Sequence, residues 1–385
     1  MPGRLAHEPS AARVAVIGLL GLAAAMGIGR FAFTPLLPLM QAREGLTLTQ
    51  GGWLASANYL GYLVGAVACA ARAPQPARAA RHGLIGVAVF TLAMVWVADF
   101  AGRSLMRFGA GVSSALVLVG ISSWALPLLA DLRRARWSGW VFAGVGAGIT
   151  TAGLIGLLAA LWDADPVWAW LALGAIAAVV AALAQRDLRA PAAAPDRVDI
   201  AAAATRLSRA DWLLVLCYGA FGFGYIIPAT FLPAFARALI DNPLAFGSVW
   251  PVFGLAAAAS TVFAARWLAA WSARSVWAVS QVVMAFGVLL QALWPSLPTT
   301  MVCALCVGGT LVVATMAGIE LARQTAAQRA PRLIATMTAA FALGQLIGPL
   351  LVRGHSATTV AVWPGALAAL LLIASSIALL ARQRA

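Results

Sequence analysis

Apolar residues run along this chain in blocks of about twenty, broken by short charged or Pro/Gly-rich segments and without sustained two-residue alternation. A block of that length lets one helix cross a bilayer and close its backbone hydrogen bonds internally. Twelve such blocks lie roughly at 12–38, 50–71, 83–100, 104–130, 138–161, 166–185, 211–236, 246–270, 275–294, 299–321, 333–352 and 359–380. Most connections are very short, as in Asp163-Ala-Asp-Pro166 and Pro295-Ser-Leu-Pro298. Residues 186–210, rich in Ala, Pro, Arg and Asp, read as a solvated linker between two six-helix bundles, 1–185 and 211–385. The expected class is an all-α membrane protein with twelve transmembrane helices.

Composition agrees. The chain is 63% hydrophobic and 10% charged, with a mean hydropathy of +0.91. Soluble proteins carry about 25% charged residues, so a soluble domain is excluded. The net charge of +14 would suggest nucleic acid in a soluble protein, but here the charge divides by side. With the N-terminus inside, twenty arginines fall on cytoplasmic segments and helix ends. Only Arg43, Arg103, Arg237 and Arg353 fall outside, while Arg30 and Arg107 lie within spans. The asymmetry predicts a multi-pass protein of the bacterial inner (plasma) membrane, termini cytoplasmic, with the lipid bilayer as its surroundings and no nucleic-acid partner. The first thirty residues, with Arg4 and Ala23-Ala-Ala25, outline a signal peptide. Cleavage would leave an odd helix set and reverse the arginine bias, so the segment is read as the first span.

An internal repeat strengthens the division. Sliding the second half over the first by 195 residues aligns Gly27-x-Gly29 with Gly222-x-Gly224 and Pro38 with Pro233. Trp53 matches Trp250 at a slightly different offset, and Leu154-Ile-Gly156 resembles Leu346-Ile-Gly348. A parallel six-plus-six repeat implies alternating access about a site near the midplane. Tyr225 stands where the first half has Arg30, so the shared architecture does not require the arginine; it belongs to a ligand or a gate.

Arg30 and Arg107 are the candidate substrate contacts. An arginine within a span costs about 2.5–3.5 kcal/mol on insertion scales, and such residues usually serve a site. Two guanidinium groups close together repel unless an anion lies between them, so they predict an anionic solute held by a guanidinium fork. The structural alternatives are pairing with Asp99 or Glu44, or snorkelling of Arg107. On helix 2, Asn58, Tyr59 and Tyr62 sit among Gly61 and Gly65. The glycines suit close packing, while Asn58 and Tyr59 face either the cavity or a neighbouring helix. Tyr225 and Gln345 complete the candidate set, with Gln281 behind them. Pro35, Pro38, Pro228 and Pro233 kink or end helices 1 and 7. Six tryptophans, Trp53, Trp162, Trp168, Trp170, Trp294 and Trp363, are placed at the interfaces as an aromatic belt.

Proton coupling needs a titratable group in the path. Asp99, at the outer end of helix 3, and Glu320, in helix 10, are the near-membrane carboxylates; Glu320 precedes Arg323 by one turn, which suits an interfacial pair. His7, His82 and His355 fall outside the spans. Cys303-x-x-Cys306 lies in an apolar helix with no partner His or second Cys pair, so all four cysteines are read as packing residues. No metal and no cofactor is expected.

The run Gly27-Ile-Gly-Arg-Phe-Ala-Phe-Thr-Pro-Leu-Leu-Pro-Leu-Met-Gln41, followed by Gly52-Trp-Leu-Ala-Ser-Ala-Asn-Tyr-Leu-Gly-Tyr-Leu-Val-Gly65, closely resembles the YbfB/YjiJ branch of the major facilitator superfamily. Arg107-Phe-Gly-Ala-Gly-Val-Ser-Ser-Ala115 resembles that superfamily's helix 4 arginine–glycine signature, where the arginine is implicated in proton coupling. The resemblance implies the major facilitator fold and secondary active transport. Two departures stand out: the stretch from Gly65 to Arg72 lacks the superfamily's usual aspartate, and helix 5 has glycines but no Gly-Pro pair.

The reading is therefore a monomeric secondary active transporter moving a small organic, anionic solute by alternating access. Efflux of amphipathic solutes is the second reading. A non-transporting sensor would need a long soluble module, and a membrane enzyme would need clustered His, Asp or Ser; neither pattern is present.

Overall fold

The computed structural model describes residues 10–72, 74–189, 207–267, 270–326, 330–352 and 362–381. Among them the chain forms twelve long helices and no strand. The first half comprises α1 (Ala11–Glu44), α2 (Leu48–Arg72), α3 (Pro76–Ala93), α4 (Phe100–Asp131), α5 (Ser138–Leu161) and α6 (Pro166–Ala184). The second comprises α7 (Arg209–Leu239), α8 (Val249–Trp267), α9 (Ala273–Leu293), α10 (Leu297–Thr325), α11 (Ala330–Leu350) and α12 (Val362–Ala381). Eleven of the twelve are long and apolar enough to cross a membrane; α3 is the other one. Most of the interhelical segment 186–210 lies outside the described residues.

Local signals set the starts. Pro166 follows the cap Asp165, whose side chain accepts from Val167 N. Ser208 and Asp211 form a reciprocal capping box on α7, and Ser296 and Thr299 do the same on α10. The third span departs from the hydropathy reading of 83–100. It begins at Pro76, so Arg78, Arg81 and His82 lie on the helix itself, and it ends at Ala93. Asp99 is consequently not the outer end of that helix. It caps α4, accepting from Gly102 N at 2.7 Å.

Within the first half α4 packs on α2 and α3, and α1 on α5; in the second α9 packs on α10 and α12, and α7 on α11. The halves meet through α5 with α8, α2 with α11, and the end of α1 with α7. Small residues permit these approaches: a Cβ at Gly148 would strike the Ala23 carbonyl, and one at Gly111 would strike that of Asn58.

Trp53, Trp162, Trp168, Trp294 and Trp363 are exposed, but Trp170 is buried. Trp168 and Trp170 are two positions apart, about 200° around a helix, so α6 turns one outward and the other into the core. All four cysteines are free, and Cys303 and Cys306 pack against Gly287.

Candidate functional site

Helix α1 is interrupted where the motif lies. Residues Ala23–Arg30 wind as a π-helix, with Phe31 N bonding to Met26 O at 3.2 Å, and the α-helical ladder resumes at Phe33. A π-turn followed by Pro35, which has no N–H, disturbs the ordinary four-residue bonding. The Gly29 and Arg30 carbonyls are taken up by other helices. Asn58 Nδ2 donates to Gly29 O at 3.1 Å, while Arg107 donates to Gly29 O at 3.3 Å and to Arg30 O at 2.7 Å. Asn58 also donates to Arg107 O at 2.8 Å, and Ser114 donates to Ala25 O one turn below.

This arrangement corrects the expected guanidinium fork. Both terminal nitrogens of Arg107 are engaged by the main chain of α1, leaving only Nε without a partner. Arg107 is 2% exposed, so it does not snorkel to the surface. Asn58 makes interhelical bonds through Nδ2, with Oδ1 unpartnered. These side chains hold the backbone that presents Arg30.

Arg30 is 3% exposed and forms no ion pair among the described residues. Its charge is met by rings: the guanidinium carbon lies 4.2 Å from the centre of Tyr62, 5.2 Å from Phe31 and 5.4 Å from Tyr59. Each such contact contributes about 0.5–2 kcal/mol, rising with desolvation. Across the interface Arg30 Nη2 donates to the Tyr225 hydroxyl at 3.4 Å, and Gln345 Nε2 donates to the same oxygen. Arg30 Nε and Gln345 Oε1 are buried without partners.

Above this cluster the halves are fastened together. Thr34 donates to Ala229 O at 2.8 Å, an acceptor freed because Pro233, four residues on, has no N–H. Tyr59 bonds Thr230 at 3.0 Å, Ser56 donates to Leu346 O at 3.0 Å, and Arg237 donates to Pro38 O at 2.6 Å. All these residues occupy the halves of α1, α2, α7 and α11 furthest from the chain ends. Arg30 and Tyr225 thus form the base of a seam closed at that end.

Six of the predicted site residues, Arg30, Asn58, Tyr59, Arg107, Tyr225 and Gln345, therefore meet in one buried cluster. Asp99 and Glu320 do not join it. Asp99 caps α4, and Glu320 is exposed and accepts from Gln324 at 3.0 Å rather than pairing with Arg323. Glu44 pairs with Arg103, and Gln281 is buried on α9 with neither amide atom partnered. Tyr62 and Phe341 belong to the cluster's walls but were not singled out as site residues. For Tyr62 a signal existed: it lies three residues after Tyr59, on the same helix face.

Twelve long helices, eleven of them apolar enough to span a membrane, with halves joined along three helix pairs around a buried cationic cluster, are the architecture of the major facilitator fold. Solved structures agree. A point mutant of the nucleoside transporter NupG superposes with a TM-score of 0.75 at 13% identity, covering 95% of this chain and 99% of that one. A D-xylose-proton symporter gives 0.73 at 12% identity, covering 95% and 96%. A bacterial homologue of the human lysosomal transporter Spinster, in an inward-facing and occupied conformation, gives 0.71 at 14%, covering 98% and 97%. The chain belongs to the family described as "Uncharacterised MFS-type transporter YbfB", whose family model matches residues 22–382. Over 135 residues it is also 34% identical to the uncharacterised MFS-type transporter YceJ of Bacillus subtilis (strain 168), a stretch covering 34% of this chain and 31% of that relative. Family and fold are those of a transporter, not an enzyme.

Proposed function

We propose that this protein moves a small organic anion across the bacterial inner membrane by alternating access, with Arg30 as the principal contact. The observation that carries the reading is a buried guanidinium at the seam between the halves, met by rings and a hydroxyl and by no carboxylate among the described residues. A desolvated cation in this setting attracts an anion far more strongly than one in water. In the proposed cycle residues 1–185 and 211–385 rock as bodies about the seam, and the solute replaces the Tyr225 hydroxyl on Arg30. In this reading the termini face the cytoplasm, a placement the arginine asymmetry supports.

Coupling to protons is the finer part of this reading. It is supported by fold likeness to a D-xylose-proton symporter; of the two carboxylates considered, Asp99 caps α4, and Glu320, though outside the Arg30 cluster, is the one left to test. Both parts are tested in proteoliposomes. Counterflow of organic acids is expected with the native protein and lost in Arg30→Gln; a variant that exchanges them at the native rate removes Arg30 from the site. Uptake driven by an imposed pH gradient and lost in Glu320→Gln identifies coupling there, and indifference to the gradient removes that part.

A further inference from the structure

The wall facing Arg30 describes the body of the solute. From Tyr225 towards the chain ends, α7 and α11 build a continuous aromatic surface. Phe341 stacks on Tyr225 with ring centres 5.4 Å apart and planes at 15°. Phe221 lies 5.6 Å from Tyr225 and 5.2 Å from Phe341, and Tyr218 lies 5.2 Å from Phe341. Opposite, Tyr62 offers its face to the Arg30 guanidinium. Tyr62, Phe341 and Tyr225 are all buried, at 6%, 8% and 1% exposure, so a solute reaches these rings only when the halves part.

The free polar groups are few. Arg30 Nε and Arg107 Nε are donors and Gln345 Oε1 and Asn58 Oδ1 acceptors, each buried and unpartnered; of these Arg30 Nε and Gln345 Oε1 lie on the side of the aromatic wall. Arg107 keeps its charge beside Arg30, but its terminal nitrogens are already bonded to Gly29 O and Arg30 O, so it presents no free guanidinium edge for a second carboxylate. The second carboxylate of a dianion would find no free guanidinium edge and would be buried without a fork of its own. A polyol would set several hydroxyls against carbon, and each unpaired polar group is penalised on burial. Aromatic walls instead favour a flat ring, which gains from offset stacking beyond its buried area.

Taking the anion reading above as its basis, we infer that the solute is an aromatic monocarboxylate. Its carboxylate sits on Arg30, its ring lies against Phe341 and Tyr225, and a hydrogen-bond donor on the ring reaches the Gln345 side-chain carbonyl.

Equilibrium binding of radiolabelled benzoate to the purified full-length protein tests this, with 4-hydroxybenzoate, cyclohexanecarboxylate, succinate and benzyl alcohol as competitors. Benzoate is expected to bind about fivefold tighter than cyclohexanecarboxylate. The 4-hydroxy acid should compete better than benzoate itself, and succinate and benzyl alcohol poorly. Arg30→Gln should abolish binding, while Phe341→Leu should erase the preference for the aromatic ring and keep the dependence on Arg30. If cyclohexanecarboxylate or succinate binds as well as benzoate, still through Arg30, the aromatic inference is overturned and the anion reading stands. If no acid binds, or binding is indifferent to Arg30→Gln, both are overturned.

Discussion

Arg30 and Tyr225 are 195 residues apart in the chain and touch across the seam at 3.4 Å. The same interval separates Thr34 from Ala229, which are also hydrogen-bonded, at 2.8 Å. The offset that aligns the two halves of the sequence is thus the offset between residues in contact. Parallel repeats related by an axis along the membrane normal bring equivalent helices face to face at that axis, so equivalent positions meet there. The pair is chemically unlike, cation against phenol, and the asymmetry gives the seam its polarity.

Tyr225→Phe tests the pair directly. It removes the oxygen that accepts from Arg30 and Gln345, leaving two buried donors without it. Apparent solute affinity is expected to change by about tenfold in counterflow, on a cost of roughly 1–3 kcal/mol per unsatisfied buried group. A native KM would show that the hydroxyl is idle in transport.

Arg107→Ala removes the two bonds that Arg107 gives to the interrupted turn of α1, leaving Gly29 O to Asn58 alone. The melting temperature is expected to fall, since carbonyls at Gly29 and Arg30 lose donors in a dry interior. Binding should weaken with it, because Arg30 loses its support. Arg107→Lys should recover part of the stability but less of the binding, as an ammonium lacks the planar fork. Thermal unfolding and ligand titration on the same samples separate the two effects.

Thr34→Val preserves shape and deletes the hydroxyl that satisfies Ala229 O. The closed seam should loosen by about 1–2 kcal/mol. A cysteine introduced at Ala234, buried in this conformation, should then react with a maleimide about tenfold faster, corrected for the four native cysteines. Unchanged labelling would mean the bond does not gate that side.

Gly111→Ala should be more harmful than its size suggests. The new Cβ would meet the Asn58 carbonyl, forcing α2 from α4 and moving Asn58 off Gly29 O. Reduced thermal stability and weaker solute binding are expected together, whereas Gly309→Ala, which has open space around it, should leave both unchanged.

Arg30 was legible from sequence because a charge in an apolar block has no cheap explanation, and the repeat aligned Tyr225 with it; that the two touch came only from the structure. Arg107 was legible as a buried arginine but not in its role. Whether a guanidinium meets a solute or a carbonyl depends on where neighbouring helices release acceptors, and the π-turn of α1 does this. Asp99 went astray for a local reason. Hydropathy slides the third span past Arg78 and Arg81, although Pro76 starts the helix before them.

Hydrophobic block length by itself determined the helical membrane class, since hydrocarbon tolerates no unsatisfied backbone. It also exposed the repeat and the lone interior charges. Tertiary structure alone decided which polar groups meet: Tyr62 and Phe341 as walls, Arg107 and Asn58 as supports, Thr34 on the carbonyl that Pro233 releases. The contacts of this seam join residues as many as 290 positions apart, and a contact of that span exists only once helices α1, α2, α4, α7 and α11 have packed.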